Sequence, residues 1–324
     1  MRSLLFALSV SLGFLSFCAN AQEDWKTFPY DQSAFDYSGD KLRKAWPQLT
    51  RGFGNSYPFP DEEWVLNMVA QHPQILSIPT TNTLSQGTPE ALASAYAEKL
   101  QDAWRSMFRG DFAQAKQQGM ALGFGGQIPA MFSQVIYATF LETDQDEKHR
   151  LLEQVIDLTD EAGDLAKLDV VAQFGRIYAK ARLGEELSIP VTLKRGYSSQ
   201  IPDELDAILS KDPLQPYALA LYGGYQAGVI RKVGSMVGGL TYGVSTEKME
   251  TYFKRSFAVR DDLPIGHYEY ANALTYVYGD AEDSKALKHL QQAVTIPPIS
   301  AMESLEIAHA KTLLATFKKR VAGN

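Results

Sequence analysis

The 324-residue sequence predicts an all-α fold, an α-solenoid of helix pairs with an irregular N-terminal arm. Three observations predict it. From residue 88 onward, apolar residues recur at helical spacing in one segment after another, and turn residues separate the segments. No segment alternates between apolar and polar residues as a half-buried strand would. Finally, Pro264 and Pro298 lie 34 residues apart, a spacing typical of stacked helix pairs.

The first 21 residues have the pattern of a secretory signal. Arg2 supplies the positive region, an apolar run follows from residue 4 to 17, and Ala19 and Ala21 form a small-x-small cleavage site. The run is too short, and too soon followed by polar residues, for a membrane span. We therefore expect cleavage after Ala21, export to the periplasm and no transmembrane segment afterwards.

Cys18 keeps a second interpretation open, that of a lipoprotein. Leu15 stands three residues before Cys18, as in a lipobox, but such a site has a small residue where this chain has Phe17. We favour cleavage after Ala21 for that reason. Cys18 is the only cysteine, so the rest of the chain has neither a disulfide nor a cysteine-based zinc site.

Composition and charge limit the classes of partner. The formal net charge is −7, and the lysines and arginines are scattered rather than clustered. Nucleic acid and anionic membrane surfaces, which both need a basic patch, are therefore not expected partners. The 45% hydrophobic content suffices for a large core. We expect no cofactor.

Residues 22–87 are predicted to form an N-terminal arm that packs on the helical body. The stretch before residue 60 is rich in aromatic residues, proline and glycine, which makes it too apolar for a disordered tail. A short helix is expected from Lys41 to Trp46. A second helix is expected to open at Pro60 and to end before Pro73, with a loop at 75–87.

Residues 88–324 are predicted to form the helical repeat domain. The segment 185–201 is expected to be a connector, and its apolar piece from Ser188 to Leu193 is a weak strand candidate because Pro190 lies inside it. The predicted helices cover residues 88–108, 112–122, 127–142, 146–159, 164–184, 202–211, 214–233, 245–260, 264–278, 282–295 and 300–320.

Small and large residues recur at fixed places within these helix pairs. With Pro298 as the last residue of a repeat, the second helix has small, large and small residues at Ala286, Leu290 and Ala293. With Pro213 as the end of an earlier unit, the next helix carries Leu219, Tyr222 and Gly223. Residues 88–298 thus resemble about five degenerate tetratricopeptide repeats, and the resemblance implies close packing of paired helices.

The unit between Pro213 and Pro264 is one repeat plus about 17 residues long. The surplus falls at 228–244, where we expect an insert that forms a helical hairpin or a loop over one end of the groove. Such a chain is similar to exported bacterial tetratricopeptide proteins of unassigned function. More distantly, it resembles the periplasmic tetratricopeptide component associated with TRAP-type solute transporters and the regulator-of-microtubule-dynamics family. These resemblances imply a fold and a compartment, and no activity.

The richest candidate site is the segment 217–278, which contains nine of the 16 tyrosines and, between residues 223 and 243, seven glycines. Tyrosine offers a large contact surface with a polar tip, and glycine allows close approach. The segment would suit a binding groove, and it would equally suit a tightly packed helix junction. The candidate partner-binding residues are Tyr222, Arg231, Tyr242, His267, Tyr268, Glu269, Asn272 and Tyr278.

Catalytic and metal-binding patterns are weak. His267 and Glu269, two residues apart, point about 200° apart on a helix, so a catalytic role for them would need residues from neighbouring helices. Glu306 and His309 have a spacing compatible with a metal, but two ligands alone are little evidence, and an ordinary surface hydrogen bond explains them. We expect no metal site and no catalytic residue.

The leading functional interpretation is a periplasmic scaffold or adaptor that holds a peptide or partner protein in its concave groove. The first alternative is a small-ligand-binding accessory protein of a solute transporter. The second is an enzyme that uses His267 and Glu269 in a helical cleft. An enclosed pocket near Tyr242 would favour the small ligand, and an open groove with exposed Tyr268 and Tyr278 would favour the peptide.

Overall fold

The computed structural model describes residues 25–54, 57–72, 89–163, 166 and 169–323, with the backbone alone at residues 89, 90 and 321–323. The predicted signal, its cleavage site at Ala21, the alternative lipidation site Cys18 and the loop at 75–87 lie outside the described residues.

The prediction of an all-α fold is confirmed: the described part of the chain forms fourteen α-helices and no strand. The helices are α1 (Lys41–Leu49), α2 (Glu62–Gln71), α3 (Pro89–Arg109), α4 (Phe112–Ala121), α5 (Gln127–Phe140), α6 (Gln145–Ala162), α7 (Val170–Glu186), α8 (Ile189–Lys194), α9 (Tyr197–Lys211), α10 (Pro216–Tyr242), α11 (Thr246–Val259), α12 (Pro264–Tyr278), α13 (Asp283–Thr295) and α14 (Ala301–Gly323).

Several helices begin at residues whose side chains satisfy the free amides of the first turn. The Asp61 carboxylate accepts from the Trp64 amide at 3.0 Å, and the Asp169 carboxylate accepts from the amides of Val171 and Ala172. Helix α12 begins with Pro264, whose missing N–H is not needed at that position. These local signals explain why most helix starts could be predicted.

The connector predicted at 185–201 is helical, and the strand candidate from Ser188 to Leu193 was wrong. Pro190 lies in the first turn of α8, where a helix tolerates proline, so the residue that argues against a strand favours a helix start. Helix α9 begins at Tyr197 rather than at 202, and Pro202 lies inside it.

Where an insert was expected at 228–244, the chain forms two helical pieces that fold back on each other, as in the expected helical hairpin. The Ser245 amide donates to the Gln226 side chain at 3.0 Å, and a Cβ on Gly238 would lie 3.7 Å from Val229.

Helix α10 is broken at Gly234, whose φ of 80° and ψ of 159° are not helical, and it ends at Gly243 with φ of 64°. Because positive φ is strained for residues with a Cβ, glycine allows the chain to change direction at both points. The segment after Gly234 exposes Met236 and Leu240.

Except for α7 and the short α8, consecutive helices pack against one another along the chain, from α3 against α4 to α13 against α14, as expected of helix pairs in series. The predicted small and large residues Ala286, Leu290 and Ala293 are buried in the core formed with α12 and α14. Helix α14 also packs against α3 and α5, so the C-terminal helix meets the first helices of the body.

The N-terminal arm lies along this body, and most of its aromatic side chains are buried in the core or pack against it. The Trp25 ring stacks on Tyr137 with centroids 4.3 Å apart, and the Trp46 ring meets Trp104 edge-on at 5.1 Å. The Tyr37 hydroxyl donates to the carbonyl of Ile299, just before α14. The arm therefore contacts residues from both halves of the body.

Candidate functional site

A cavity of about 150 Å³ lies between helices α5, α7, α8, α9, α10, α12 and α14. Ile189 and Leu193 of the short helix α8 border it and are exposed. Ile201 and Met302 also border it and are buried. The cavity therefore runs from the surface into the core, and α8 lies at its mouth.

The wall of the cavity is mostly apolar and aromatic, with Phe132, Val135, Phe174, Tyr217, Leu221 and Val229 among its residues. An apolar cavity of roughly this size in another protein stays dry and binds benzene. Concave, largely apolar sites with a few polar groups are typical of small-molecule binding. The space is thus suited to an apolar molecule, and selectivity has to come from its few polar groups.

Three glycines contribute to the space. Gly184 on α7 and Gly224 and Gly228 on α10 border the cavity, and a Cβ built on any of them would have no atom within 4 Å. Gly175 also borders the cavity, but a Cβ there would collide with the Met131 side chain. The side of α10 that faces the cavity therefore carries no side chain at residues 224 and 228. Larger side chains there would enter the cavity, and their Cβ atoms would not clash.

One backbone carbonyl in the cavity wall has no partner within its own helix, because a proline stands where the donor would be. Pro202 has no N–H, so the Ser198 carbonyl lacks its partner within α9. The Tyr225 hydroxyl on α10 donates to that carbonyl at 2.7 Å. Both Ser198 and Tyr225 border the cavity, and this bond joins two of its walls.

The charged groups of the wall are centred on Arg182. Its guanidinium donates to the Glu269 carboxylate across from α7 to α12, and to Glu185 at 2.9 Å. It also lies over the Tyr178 ring, 4.8 Å from the centroid. The Arg231 guanidinium lies over the Tyr276 ring at 4.4 Å. Arg182 is therefore paired, and its charge is balanced within the wall.

Glu306 is the exception among the carboxyl groups at the cavity. Its side chain borders the cavity, the residue is only 3% exposed, and its Oε2 has no hydrogen-bond partner among the described residues. Burial, and then the neighbouring Glu303 carboxylate, hold the pKa of Glu306 well above its usual value. Both effects favour the protonated form of the carboxyl, in which it has an O–H to donate.

Three of the eight predicted site residues border this cavity: Arg231, Tyr242 and Glu269. The Tyr222 ring lies elsewhere and stacks on Tyr252 at 4.2 Å. The two tyrosines expected on an open groove are half-buried. The Tyr278 hydroxyl donates to Glu250 at 3.3 Å, and Tyr268 is hydrogen-bonded to the predicted residue Asn272.

His267 is buried in a separate aromatic cluster and does not meet Glu269. Its ring stacks on Phe257 with centroids 4.8 Å apart, and its Nδ1 lies 2.9 Å from Nδ1 of His289. Burial lowers the pKa of both imidazoles, that of His289 to about 4 with help from the charge of its neighbours. The ring pair is thus neutral and packed, while Glu269 faces Arg182 on the other side of α12.

Glu306 and His309 do not share a surface, which contradicts the expected hydrogen-bonded surface pair. Glu306 is buried at the cavity, whereas the His309 ring packs edge-on against Phe140 at 4.9 Å. Nowhere in the described ranges do three or more His, Cys, Asp or Glu side chains form a group that could hold a metal ion.

Sequence reasoning missed the inner wall of the cavity. The sequence did not link Arg182 to the cavity, because its partner there, Glu269, lies 87 residues further along the chain. Glu306 was noticed only for its helical spacing from His309, and was taken for half of a surface pair. Burial was the missing fact, and it depends on helices that pack around α14.

Comparisons with known proteins identify no relative: no protein-family model, curated protein or solved structure matches the chain. As to membranes, none of the helices in the described part of the chain combines the length and the apolar character that a crossing requires.

Proposed function

We propose that this protein binds a small, largely apolar molecule in the cavity between α7, α8, α10 and α12. One observation carries the proposal: an apolar cavity of about 150 Å³ leads from the exposed Ile189 and Leu193 to buried residues of the core. An empty apolar space forfeits packing contacts, so a ligand that fills it gains both dispersion and burial of apolar surface.

A groove for a peptide or partner protein has less support. That interpretation needs exposed side chains along the first helices of each pair, and it relied on Tyr268 and Tyr278. Both are half-buried, and each is engaged within the chain, Tyr268 with Asn272 and Tyr278 with Glu250. A small ligand uses the space that the fold leaves open and requires no rearrangement of these residues.

We expect the ligand to be met in the periplasm, because the first 21 residues have the pattern of a secretory signal. The resemblance to exported tetratricopeptide proteins supports the same compartment. In this proposal the repeat serves as a frame: stacked helices hold the walls of the cavity apart at a fixed distance.

The proposal is tested with a substitution in the cavity wall that fills the cavity and should weaken the binding of an apolar probe. The probe is N-phenyl-1-naphthylamine, an uncharged aromatic molecule whose fluorescence rises in apolar surroundings. Gly228→Leu puts a side chain into the cavity, where a Cβ has no neighbour within 4 Å. We expect saturable binding to the wild type and an affinity at least about tenfold lower for the variant. Leucine favours a helix more than glycine does, so the variant stays folded.

Gly239→Leu is the matched control. Gly239 also lies in α10, is exposed and does not border the cavity, and a Cβ there would meet only the Val244 carbonyl at an ordinary 3.5 Å. We expect wild-type affinity for this variant. The proposal fails if the wild type does not bind the probe saturably, or if Gly228→Leu binds it as well as Gly239→Leu does.

A further inference from the structure

Glu306 stands out because one oxygen of its buried carboxyl, Oε2, has no partner among the described residues, although the carboxyl also accepts a hydrogen bond from the Ile265 amide. The residue is 3% exposed, and its Oε2 accepts and donates no hydrogen bond among the described residues. Leaving a buried polar group unpaired costs about 1 to 3 kcal/mol, and native structures avoid it unless something else meets the group. Glu306 is also one of the residues that border the cavity.

On one side of Glu306 the charges are already matched. Glu303, one turn earlier on α14, is paired with Arg51 at 2.6 Å, and Arg51 also reaches Asp262 at 3.2 Å. Asp262 is paired in turn with Arg260, so these ion pairs join the arm, the loop before α12 and α14. The Arg51 guanidinium is thus already taken up by Glu303 and Asp262.

On the other side, Glu269 of α12 and Glu185 of α7 both pair with Arg182, and Arg231 lies close enough to act on Glu185 as well. Tyr178 and Tyr217, whose pKa values are raised by burial, contribute only neutral phenols. His309, one turn further along α14, is kept neutral because burial lowers its pKa. The carboxyl group therefore faces neutral phenols and balanced ion pairs, a setting that favours its uncharged form.

We propose, as a consequence of the proposed function, that the ligand carries an uncharged oxygen acceptor, a carbonyl or hydroxyl oxygen, which receives a hydrogen bond from the Glu306 carboxyl. The apolar body of the ligand lies against the aromatic wall. The oxygen lies at the inner end, where Glu306, Ile265 and Met302 border the cavity. An uncharged acceptor satisfies Oε2 without bringing a second charge into the core.

Charged head groups fit this end of the cavity less well. A carboxylate would lie beside the Glu269 carboxylate, which already takes up the Arg182 charge, and like charges at short range repel strongly in a buried site. An ammonium group would be attracted only after Glu306 had lost its proton. Binding of a carboxylate or an ammonium group would therefore depend on the charge of Glu306 in a different way from binding of an uncharged oxygen.

The test compares three molecules that share one apolar chain: 1-octanol, octanoate and octylammonium. Each is titrated at pH 7 against the full chain loaded with N-phenyl-1-naphthylamine, and displacement of the probe is followed by fluorescence. We expect 1-octanol to bind at least about tenfold more tightly than either ion. Glu306→Gln keeps an N–H donor at the same place, and we expect it to keep the affinity for 1-octanol within about threefold.

Glu306→Leu removes the donor and keeps the cavity apolar. We expect it to bind 1-octanol about tenfold more weakly while it binds the naphthylamine probe as the wild type does. Glu306→Leu leaves the Ile265 amide without its acceptor, so circular dichroism at 222 nm must show that the variant is folded, and Glu306→Gln, which keeps an acceptor for that amide, tests the inference if it is not. Unchanged probe binding separates this inference from the proposed function, which predicts probe binding in every variant with an open cavity.

Two results would overturn the inference. A preference of the wild type for octylammonium, lost in Glu306→Gln, would mean that Glu306 binds as an anion. Equal affinity for 1-octanol in the wild type and in Glu306→Leu would mean that the carboxyl does not touch the ligand, even if the cavity binds apolar molecules.

Discussion

At the scale of single residues, one carboxyl group distinguishes the cavity from the rest of the core. Glu303 and Glu269 are buried or half-buried and each is held by an arginine, whereas Glu306 has no partner at Oε2. A paired carboxylate remains ionised, but a lone one lowers its free energy by binding a proton. The stability of the folded chain must therefore depend on the proton that Glu306 carries.

Glu306→Gln is predicted to remove a pH-dependent loss of stability. The pKa of a glutamate side chain is ordinarily 4.5, and burial in the folded chain raises that of Glu306 well above this value. Above pH 4.5 the unfolded chain releases the proton and the folded chain keeps it, so rising pH favours unfolding by up to about 1.4 kcal/mol per pH unit. Glutamine does not titrate.

The free energy of unfolding in urea, measured for both proteins at pH 5 and pH 7, checks this. We expect the advantage of Glu306→Gln over the wild type to grow between the two values. The wild type starts to lose stability above the pKa that Glu306 has in the unfolded chain. It continues to lose stability until the pH reaches the pKa that Glu306 has in the folded chain. An advantage that stays constant from pH 5 to pH 7 would contradict a proton held by Glu306.

At the scale of the helix, α10 uses glycine in two different ways. Gly224 and Gly228 have helical backbone angles and leave the cavity side of the helix bare. Gly234 has a φ of 80° and breaks the helix, so that the segment up to Tyr242 follows a new direction and brings the Tyr242 side chain to the cavity. Only the second use depends on the backbone freedom of glycine.

Alanine substitutions in α10 are predicted to have opposite effects. Gly228→Ala adds a methyl group in open space within a helix and should raise the free energy of unfolding by about 0.5 to 1 kcal/mol. Gly234→Ala puts a Cβ on a backbone with positive φ and should lower it by about 1 kcal/mol or more.

Chemical denaturation of both variants under one set of conditions measures the difference, and each variant serves as the control for the other. Higher stability in both would mean that α10 straightens at residue 234 when glycine is lost there. The break would then be a local preference of glycine, with no role in holding Tyr242 at the cavity.

Local sequence signals predicted most helices, and the errors show what those signals lack. Asp61 and Pro264 mark helix starts through contacts within a single turn, so a pattern of a few residues suffices. Pro202 suggested a helix start, but it lies inside α9 because the carbonyl it leaves free receives a bond from Tyr225. That partner is 27 residues away from the carbonyl and invisible to local reasoning.

The candidate site was predicted in part for the same reason. The composition of 217–278 led to Arg231, Tyr242 and Glu269, which do border the cavity. Arg182 and Glu306 come from helices outside that segment, and only tertiary packing brings them to the same space. Spacing along α14 linked Glu306 to His309, yet a spacing fixes only the approximate face of a helix and not what covers it.

At the scale of the whole molecule, the arm joins parts of the chain that a simple solenoid would keep apart. In a solenoid each repeat contacts only its neighbours, so distant parts can unfold separately. Here Arg51 of the arm is buried against Glu303 and Asp262, more than 200 residues away, and helix α14 packs on α3 and α5. These contacts link the N-terminal and C-terminal halves, so we expect them to unfold together.

Two probes can follow the two halves separately. All four tryptophans lie between residues 25 and 104, so their fluorescence reports the N-terminal half, whereas circular dichroism at 222 nm reports helices throughout the chain. For the wild type we expect one coincident transition in urea by both probes, as in a two-state protein. Different midpoints would show that the halves unfold independently despite the Arg51 contacts.

Arg51→Ala is predicted to destabilise the protein and to separate the two transitions. The substitution leaves the buried Glu303 carboxylate without its partner, a change that costs about 3 to 5 kcal/mol. Arg43→Ala is the control, because Arg43 is more than half exposed at its side chain and pairs with Asp61 within the N-terminal part, where an ion pair contributes at most about 1 kcal/mol. If Arg51→Ala loses no more stability than Arg43→Ala and its two curves still coincide, the halves are held together by the apolar contacts of α14 alone. If the curves separate, the ion pair beside Glu306 is what makes the cavity and the arm one cooperative unit.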